Sequence, residues 1–548
     1  MRNAPHQSFL GLRRAPAVAT LALTLGLAAC PSPTPESRKG DDATPSAQAS
    51  PSGEATLFLM ADIRGVLRPC GCTVDLQKGG FDRLVPYLAK ERKSHPKAQL
   101  FHAGPLFFED ATVDPKKRAQ RSRQAEVAAD LVARADIDVA AATCADAVAS
   151  EGHYGDLAKR AHVQMTAANL KLNDGPSISP FEVREVGGLR VGVFALADPN
   201  EGKDLDGKGT VEDPVAAAAR IVPEIRKRAD VVLLLSALGL RETKRLIRKV
   251  DGVDFCVVGG MGEHPTVSDE AELVGSTRLM QFHREGRFVG RLSIRMVDGS
   301  RDFADASEVS EAELAEIDHR IQKLADSLAA WEKTGGADEY QIRSAKHHLA
   351  SLKDERDRLA TRKSTVPATA SAFSFTSTPL NWDLPQDPDT LALMDAFDEE
   401  LARINIANAG TLPEAKPGEA VYVGVKACLE CHDEVESFWK HDRHAEAWAT
   451  LEKDKKTFDA ECVSCHVTGY GRAGGSLVGH TEGRENVQCE ACHGPGSKHA
   501  EDGDPDLIVR EPTVEVCVGC HNSHHSPTFD FAVYKPKLMV PGHGKPVD

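Results

Sequence analysis

The chain has 548 residues, enough for two to four domains, with an ordinary hydrophobic content and only 5% aromatic residues. Its formal net charge of −16 argues against nucleic acid and anionic lipid as partners. It is compatible with steering a basic redox protein, and equally with simple solubility. The thirteen cysteines are informative through their placement rather than their number.

Residues 1–29 read as an export signal, with Arg13 and Arg14 as the basic flank and Ala15 to Ala29 as the apolar core. The stretch is too short to read as a membrane span. It ends Leu27-Ala28-Ala29-Cys30, which resembles a bacterial lipobox, so Cys30 is the expected lipidation site. An ordinary signal before a chance cysteine is the alternative. Residues 30–54 are rich in Pro, Ser, Ala and Thr and read as a flexible tether behind that anchor. Pro31, where an Asp could stand, favours the outer membrane by resemblance to enteric lipoproteins, with the protein facing the periplasm or the cell surface.

Residues 55–300 alternate buried-strand and helix patterns. Thr56–Met60, Gln99–His102, Val139–Ala142, Leu189–Ala197, Val231–Ser236 and Phe255–Val258 are the expected strands, and Gln120–Arg134 and Val215–Ala229 are expected helices. The expectation is one layered α/β domain. The strand order and the text at the strand ends resemble the 5′-nucleotidase group of calcineurin-like metallophosphoesterases. The matching text is Ala61-Asp62-Ile63-Arg64-Gly65, Gly79-Gly80-Phe81-Asp82-Arg83, His102-Ala103-Gly104-Pro105, Ala167-Ala168-Asn169, Leu235-Ser236-Ala237-Leu238-Gly239 and Val253-Asp254 leading to Gly259-Gly260.

That resemblance implies a two-metal site, which needs carboxylate, imidazole and amide ligands, and here the ligands are mostly replaced. The family's Asp-x-His is Asp62-Ile63-Arg64, its Gly-Asp is Gly104-Pro105, and its Asn-His is Thr143-Cys144. Its Ser-His-x-Gly is Ser236-Ala237-Leu238-Gly239 and its Gly-His-x-His is Gly260-Met261-Gly262-Glu263. Only Asp62 remains as a ligand, so no dinuclear metal site is expected. Pro69-Cys70-Gly71-Cys72 follows the first strand. Cys70 and Cys72 could form a strained disulfide, bind a soft metal, carry thiol redox chemistry, or simply close a structural disulfide. Cys144 and Cys256 read as small buried hydrophobes.

In residues 308–363, Leu314, Ile317, Ile321, Leu324, Leu328 and Trp331 keep helical seam spacing. Thr334-Gly335-Gly336 interrupts it, and Ile342, Ala345, Leu349, Leu352 and Leu359 resume it, with Arg356 at a polar seam position. This predicts an antiparallel helical hairpin serving as spacer or docking arm. His319, His347 and His348 fall on it as part of a solvated face. Residues 364–417 read as a Ser/Thr/Pro linker followed by a helix over Asp387–Asn408.

Residues 418–548 contain Cys428-Leu-Glu-Cys431-His432, Cys462-Val-Ser-Cys465-His466, Cys489-Glu-Ala-Cys492-His493 and Cys517-Val-Gly-Cys520-His521. Each C-x-x-C-H unit reads as a covalent c-type haem site, two thiols reaching one porphyrin and the next histidine its iron. Two Cys₂His₂-like zinc sites are the alternative. The surrounding text resembles the tetrahaem cytochrome c family typified by the electron acceptor of hydroxylamine oxidoreductase. It includes Tyr422-Val423-Gly424, Arg443-His444-Ala445, Val467-Thr468-Gly469-Tyr470-Gly471, Cys492-His493-Gly494-Pro495-Gly496-Ser497-Lys498-His499 and His543-Gly544. The resemblance implies a mainly helical and loop domain around four haems, some of them bis-His and one five-coordinate. His432, His466, His493 and His521 are the expected proximal ligands. His444, His480, His499, His525 and His543 are distal candidates, with His441 and His524 as adjacent spares.

The expected function is an exported lipoprotein cytochrome that passes electrons to redox partner proteins. Its nucleotidase-like domain would serve as a docking, thiol-redox or small-molecule-binding module. Two alternatives are a multihaem reductase working at an open haem or at Cys70 and Cys72, and a metal-dependent phosphohydrolase fused to a cytochrome.

Overall fold

The computed structural model describes residues 52–69, 77–260, 270–308, 311–334, 339–361, 364–522, 526, 529–541 and 543–545. The export signal, Cys30, Cys70, Cys72, Met261 to Glu263, His524 and His525 lie outside the described residues.

The first half of the α/β domain runs β1 (Gly53–Ala61), α1 (Phe81–Ser94), β2 (Gln99–Ala103), α2 (Arg118–Ala135), β3 (Val139–Ala141), α3 (Cys144–Ala149), α4 (Tyr154–Arg160), β4 (Gln164–Thr166), β5 (Leu170–Leu172) and β6 (Ile178–Ser179). The second half runs β7 (Glu182–Val186), β8 (Leu189–Leu196), β9 (Gly209–Val211), α5 (Pro214–Arg226), β10 (Val231–Ser236), α6 (Gly239–Ile247), β11 (Phe255–Val258), β12 (Glu272–Val274), β13 (Thr277–Gln281), β14 (Phe288–Met296) and β15 (Ala304–Asp305). After the hairpin α7 (Glu311–Thr334) and α8 (Glu339–Ala360) come β16 (Ala372–Pro379) and α9 (Pro388–Asn408).

Two sheets stack face to face, one ordered β15-β16-β14-β1-β2-β3-β4-β6 and the other β12-β13-β11-β10-β8-β7. Alternation along the strands explains the layering. In β1, Leu57, Leu59 and Ala61 enter the core between the sheets, while Phe58 and Met60 join the outer core with α1 and α2. In β10, Leu233 and Leu235 point between the sheets, and Val232 and Leu234 pack outward with α5 residues such as Ile221 and Ile225. Strands buried on both faces read as continuous apolar runs, which is why these were legible.

The expected linker over 364–386 is corrected. Ala372–Pro379 is a strand that pairs antiparallel with β14, Phe373 opposite Ile294 and Phe375 opposite Leu292. Its sequence alternates Phe373 and Phe375 with Ser374 and Thr376, and both rings lie in the core between the sheets. α9 also belongs to this domain, since Met394, Phe397 and Leu401 pack in the outer core with α2. The hairpin is therefore an insertion between two neighbouring strands of one sheet. Its seam holds Leu324, Leu328, Ala345 and Leu352, joined by Trp382 from beyond β16. Arg356 crosses to Asp318 on the other helix at 3.0 Å.

The C-terminal region is short helices and loops: α10 (Val425–Leu429), α11 (Glu436–His441), α12 (Ala447–Lys453), α13 (Ala460–His466), α14 (Cys489–His493), α15 (Ser497–Asp502), α16 (Val514–Val518) and α17 (Phe531–Leu538). Its buried apolar cluster is small, built on Leu451, Ala460, Val463, Val467 and Val478. The fold class is thus a layered α/β domain, an antiparallel helical hairpin, and a mainly helical and loop C-terminal region. Among the described residues, no helix is long and apolar enough to cross a membrane.

Candidate functional site

Glu490, the second residue of the third motif, is buried and organises two motifs at once. Its carboxylate accepts the N–H groups of Val423 at 3.0 Å and Gly424 at 2.6 Å, at the start of α10, and that of Gly496 at 2.7 Å. A carboxylate at a helix N-terminus satisfies donors that have no intrahelical partner. Gln488 accepts from Val425 N–H at 2.7 Å and holds the same junction. The first and third motifs are thereby tied together, and the Cys428 and Cys489 thiols share a hydrogen bond that raises the Cys428 pKa and lowers that of Cys489. A hydrogen bond with Cys465, ahead of burial, raises the Cys520 pKa, so the second and fourth motifs also meet. All eight motif cysteines are free of disulfides.

The imidazoles meet in pairs. The ring centroids of His432 and His499 are 6.2 Å apart, those of His521 and His444 6.1 Å, and those of His493 and His543 5.9 Å. Each pair joins a motif histidine to one of the distal candidates. Two metal–nitrogen bonds of ~2.0 Å, the length zinc–imidazole bonds take, plus half of each ring give a centroid spacing of about 6 Å. The spacing therefore suits one metal ion between two rings. Among the described residues, no three His, Cys, Asp or Glu side chains converge as a metal-binding group.

Ring orientation fits the same chemistry. Nδ1 faces a main-chain carbonyl in His466 (Ala447, 2.6 Å), His493 (Val509, 2.6 Å), His499 (Asp504, 2.8 Å) and His543 (Leu538, 2.6 Å). His444 Nδ1 lies 2.8 Å from the Asp442 carboxylate, and His521 Nδ1 3.0 Å from Ser526 Oγ. A histidine whose Nδ1–H donates to oxygen presents the Nε2 lone pair, as metal-ligating histidines do. Burial first, and neighbouring imidazoles after it, lower the pKa of His493 and His521, which favours the neutral, ligating form.

The remaining candidates stand apart. His466 has Thr450 Oγ1 at 3.3 Å from the same Nδ1, and no second imidazole faces its ring among the described residues. His480 is exposed, and His441 turns its Nδ1 to Ser437 O at 2.7 Å.

Residues 427–494 match the family described as cytochrome c554 and c-prime. The chain is 32% identical over 102 residues to cytochrome c-554 of Nitrosomonas europaea, a match over 16% of this chain that spans 43% of that relative's length. The C-terminal region is therefore cytochrome c554-like. Part of the chain is also similar in structure to a 5′-nucleotidase precursor from Thermus thermophilus (17% identity, TM-score 0.41, 64% of this chain and 59% of that one). NAD nucleotidase from Haemophilus influenzae is a further such structure (15% identity, TM-score 0.43, 68% of this chain and 64% of that one).

In the α/β domain, the side chains at the positions where the sequence resemblance implies metal ligands are engaged by their own chain. Asp62 is fully buried, accepts the Gly260 N–H at 2.9 Å, and has Arg64 Nη2 3.5 Å from its Oδ1. Asp62 and Arg64 both take left-handed backbone angles, φ 52° and 55°, which are uncommon outside glycine. A Cβ on Gly104 would come within 2.1 Å of Asp62 Oδ1, so a residue with a side chain cannot stand there unless the carboxylate moves. Thr143 Oγ1 donates to Asp146, whose buried carboxylate also accepts the N–H groups of Leu106, Phe107 and Phe108. Cys144 is buried, and burial followed by the charges of Glu201 and Asp198 pushes its thiol up to about 12.

One feature of the site has no local sequence signal. α2 of the α/β domain is docked on the second motif. Buried Gln120 donates to Asp459 at 2.7 Å and accepts from Ala460 N–H at 3.1 Å and from Asn405 at 2.6 Å. Lys117 and Arg121, on either side of it, both pair with Glu461.

Proposed function

We propose that the protein is an exported, lipid-anchored electron-transfer cytochrome carrying four c-type haems. The observation that carries this reading is the set of three paired imidazoles at about 6 Å, each joining a C-x-x-C-H histidine to a histidine distant in sequence. The cysteines of the four motifs would hold the porphyrins, with His432, His466, His493 and His521 as proximal ligands. His499, His444 and His543 would complete the first, fourth and third sites. Haem supplies one-electron transfer when bound, and the chain's own residues orient the ligands, exclude water and set the charge nearby.

The α/β domain then acts as a docking or redox-linked platform rather than a hydrolase. Arg64 places a guanidinium against the single retained carboxylate, Asp62. Cys30 would carry the anchor in the outer membrane, partners would be redox proteins, and nucleic acid is not among them. A second reading is favoured by His466: with no second imidazole facing it among the described residues, that site would be open to a small molecule, as a multihaem reductase requires.

Intact mass and haem staining of protein matured with its cytochrome c assembly machinery test the proposal. The expected result is a mass increase of four haems, with no manganese-dependent hydrolysis of bis-nitrophenyl phosphate. Fewer than four haems, or hydrolysis abolished by Asp62→Ala, would contradict it.

A further inference from the structure

The α/β domain touches the second motif, and the contact is partly ionic. Glu461 directly precedes Cys462, and its carboxylate lies 2.7 Å from Lys117 Nζ and 3.2 Å from Arg121 Nε. Arg121 Nη2 continues to Glu109 at 3.0 Å. Glu109 also meets Arg284 at 3.3 Å, and its main-chain carbonyl accepts from Arg64 Nη1 at 2.6 Å. Arg64 in turn faces Asp62. A line of contacts, broken among charged side chains only at the Glu109 main-chain carbonyl, thus runs from the buried Asp62 to the residue before Cys462. The hydrogen bonds of Gln120 hold the same two elements in register. Glu461, Arg121 and Lys117 are each less than one-third exposed, so water screens them only in part.

We propose that the α/β domain sets the reduction potential of the haem at Cys462, Cys465 and His466 through Lys117, Arg121 and Glu461, with Glu109 holding Arg121 in place. This rests on the four-haem reading above. The oxidised iron carries one more positive charge than the reduced iron. A nearby carboxylate therefore favours the oxidised state and a nearby cation the reduced state. In the native chain, Glu461 is offset by two cations, Arg121 on α2 and Lys117 just before it. These are positioning residues, for they act on the haem's surroundings and not as ligands.

The test is a spectroscopic redox titration of the full holoprotein, with the second haem identified by its response to His466→Met. Arg121→Gln removes a cation and should lower that one potential. Glu461→Gln leaves both cations uncompensated and should raise it. Each change should shift the reduced-to-oxidised ratio at fixed poise by roughly threefold or more. Arg121→Lys keeps the charge and should restore the parent value, and the other three potentials should stay put. Haem content is measured first on every sample. Fewer than four haems in the parent overturns the functional reading, and this inference with it. Four haems with no shift, or with shifts of the same sign in Arg121→Gln and Glu461→Gln, overturns the inference alone. Shifts of the same sign would mean undocking rather than charge.

Discussion

Replacing His444 with alanine is expected to turn the haem at Cys517, Cys520 and His521 from low-spin to high-spin. Carbon monoxide uptake by the reduced protein should then rise from about one to about two per chain. The ring of His444 stands 6.1 Å from that of His521, and Asp442 holds its Nδ1 at 2.8 Å, so the substitution removes an oriented ligand. The hydrogen bond from His444 helps keep the Asp442 carboxyl below the usual carboxylate range against the effect of burial. A carboxylate that stays ionised there strengthens the imidazole as a ligand. His480→Ala is the control, since that imidazole is exposed. An unchanged spectrum in His444→Ala, or the same change in His480→Ala, would show the pairing to be wrong.

Acid should destabilise the α/β domain through His102. This imidazole is fully buried and its Nε2 accepts the Ile63 N–H at 3.1 Å. Burial, with the Arg64 charge second, pushes its pKa down to about 3. In the unfolded chain it titrates near ~6.5. Between those values the unfolded state binds a proton that the folded state does not. The stability is therefore fully present above ~6.5 and is lost as pH falls toward ~3. At ~1.4 kcal/mol per pH unit, the whole window amounts to roughly 4–5 kcal/mol. His283, pushed down to about 4 by burial and then by Arg287, acts with the same sign. Between pH ~6.5 and ~5, where most carboxylates stay ionised, His102→Gln should lose about 2 kcal/mol less than the parent. Urea midpoints followed by circular dichroism measure this. Equal slopes in the two proteins would mean that His102 does not carry the effect.

What could be read from the sequence follows from the range of each interaction. A C-x-x-C-H motif is five residues long, so all four were legible without any fold. The strands Val231–Ser236 and Phe255–Val258 were legible because burial on both faces writes a continuous apolar run. β16 was not, because its Ser and Thr positions resemble a linker and the hairpin separates it from the sheet it completes. α9 was visible as a helix, but its place against α2 was not. The choice among the distal candidates was equally hidden, since His499, His444 and His543 come beside motif histidines only through the folded chain. The contact of Lys117 and Arg121 with Glu461 joins residues more than three hundred positions apart. In sequence, Arg121 is simply a polar position on a helix and Lys117 a polar residue just before it.

The three imidazole pairs would close three irons, and the iron at His466 has no second imidazole facing it among the described residues. Low-temperature electron paramagnetic resonance of the holoprotein, as isolated and after reduction under carbon monoxide and re-oxidation, tests this arrangement most directly. The expected result is three low-spin haems and a single high-spin haem, which alone takes up carbon monoxide. Two or more high-spin haems would contradict the three imidazole pairs, and four low-spin haems would mean that the iron at His466 also has a sixth ligand, leaving a closed electron carrier.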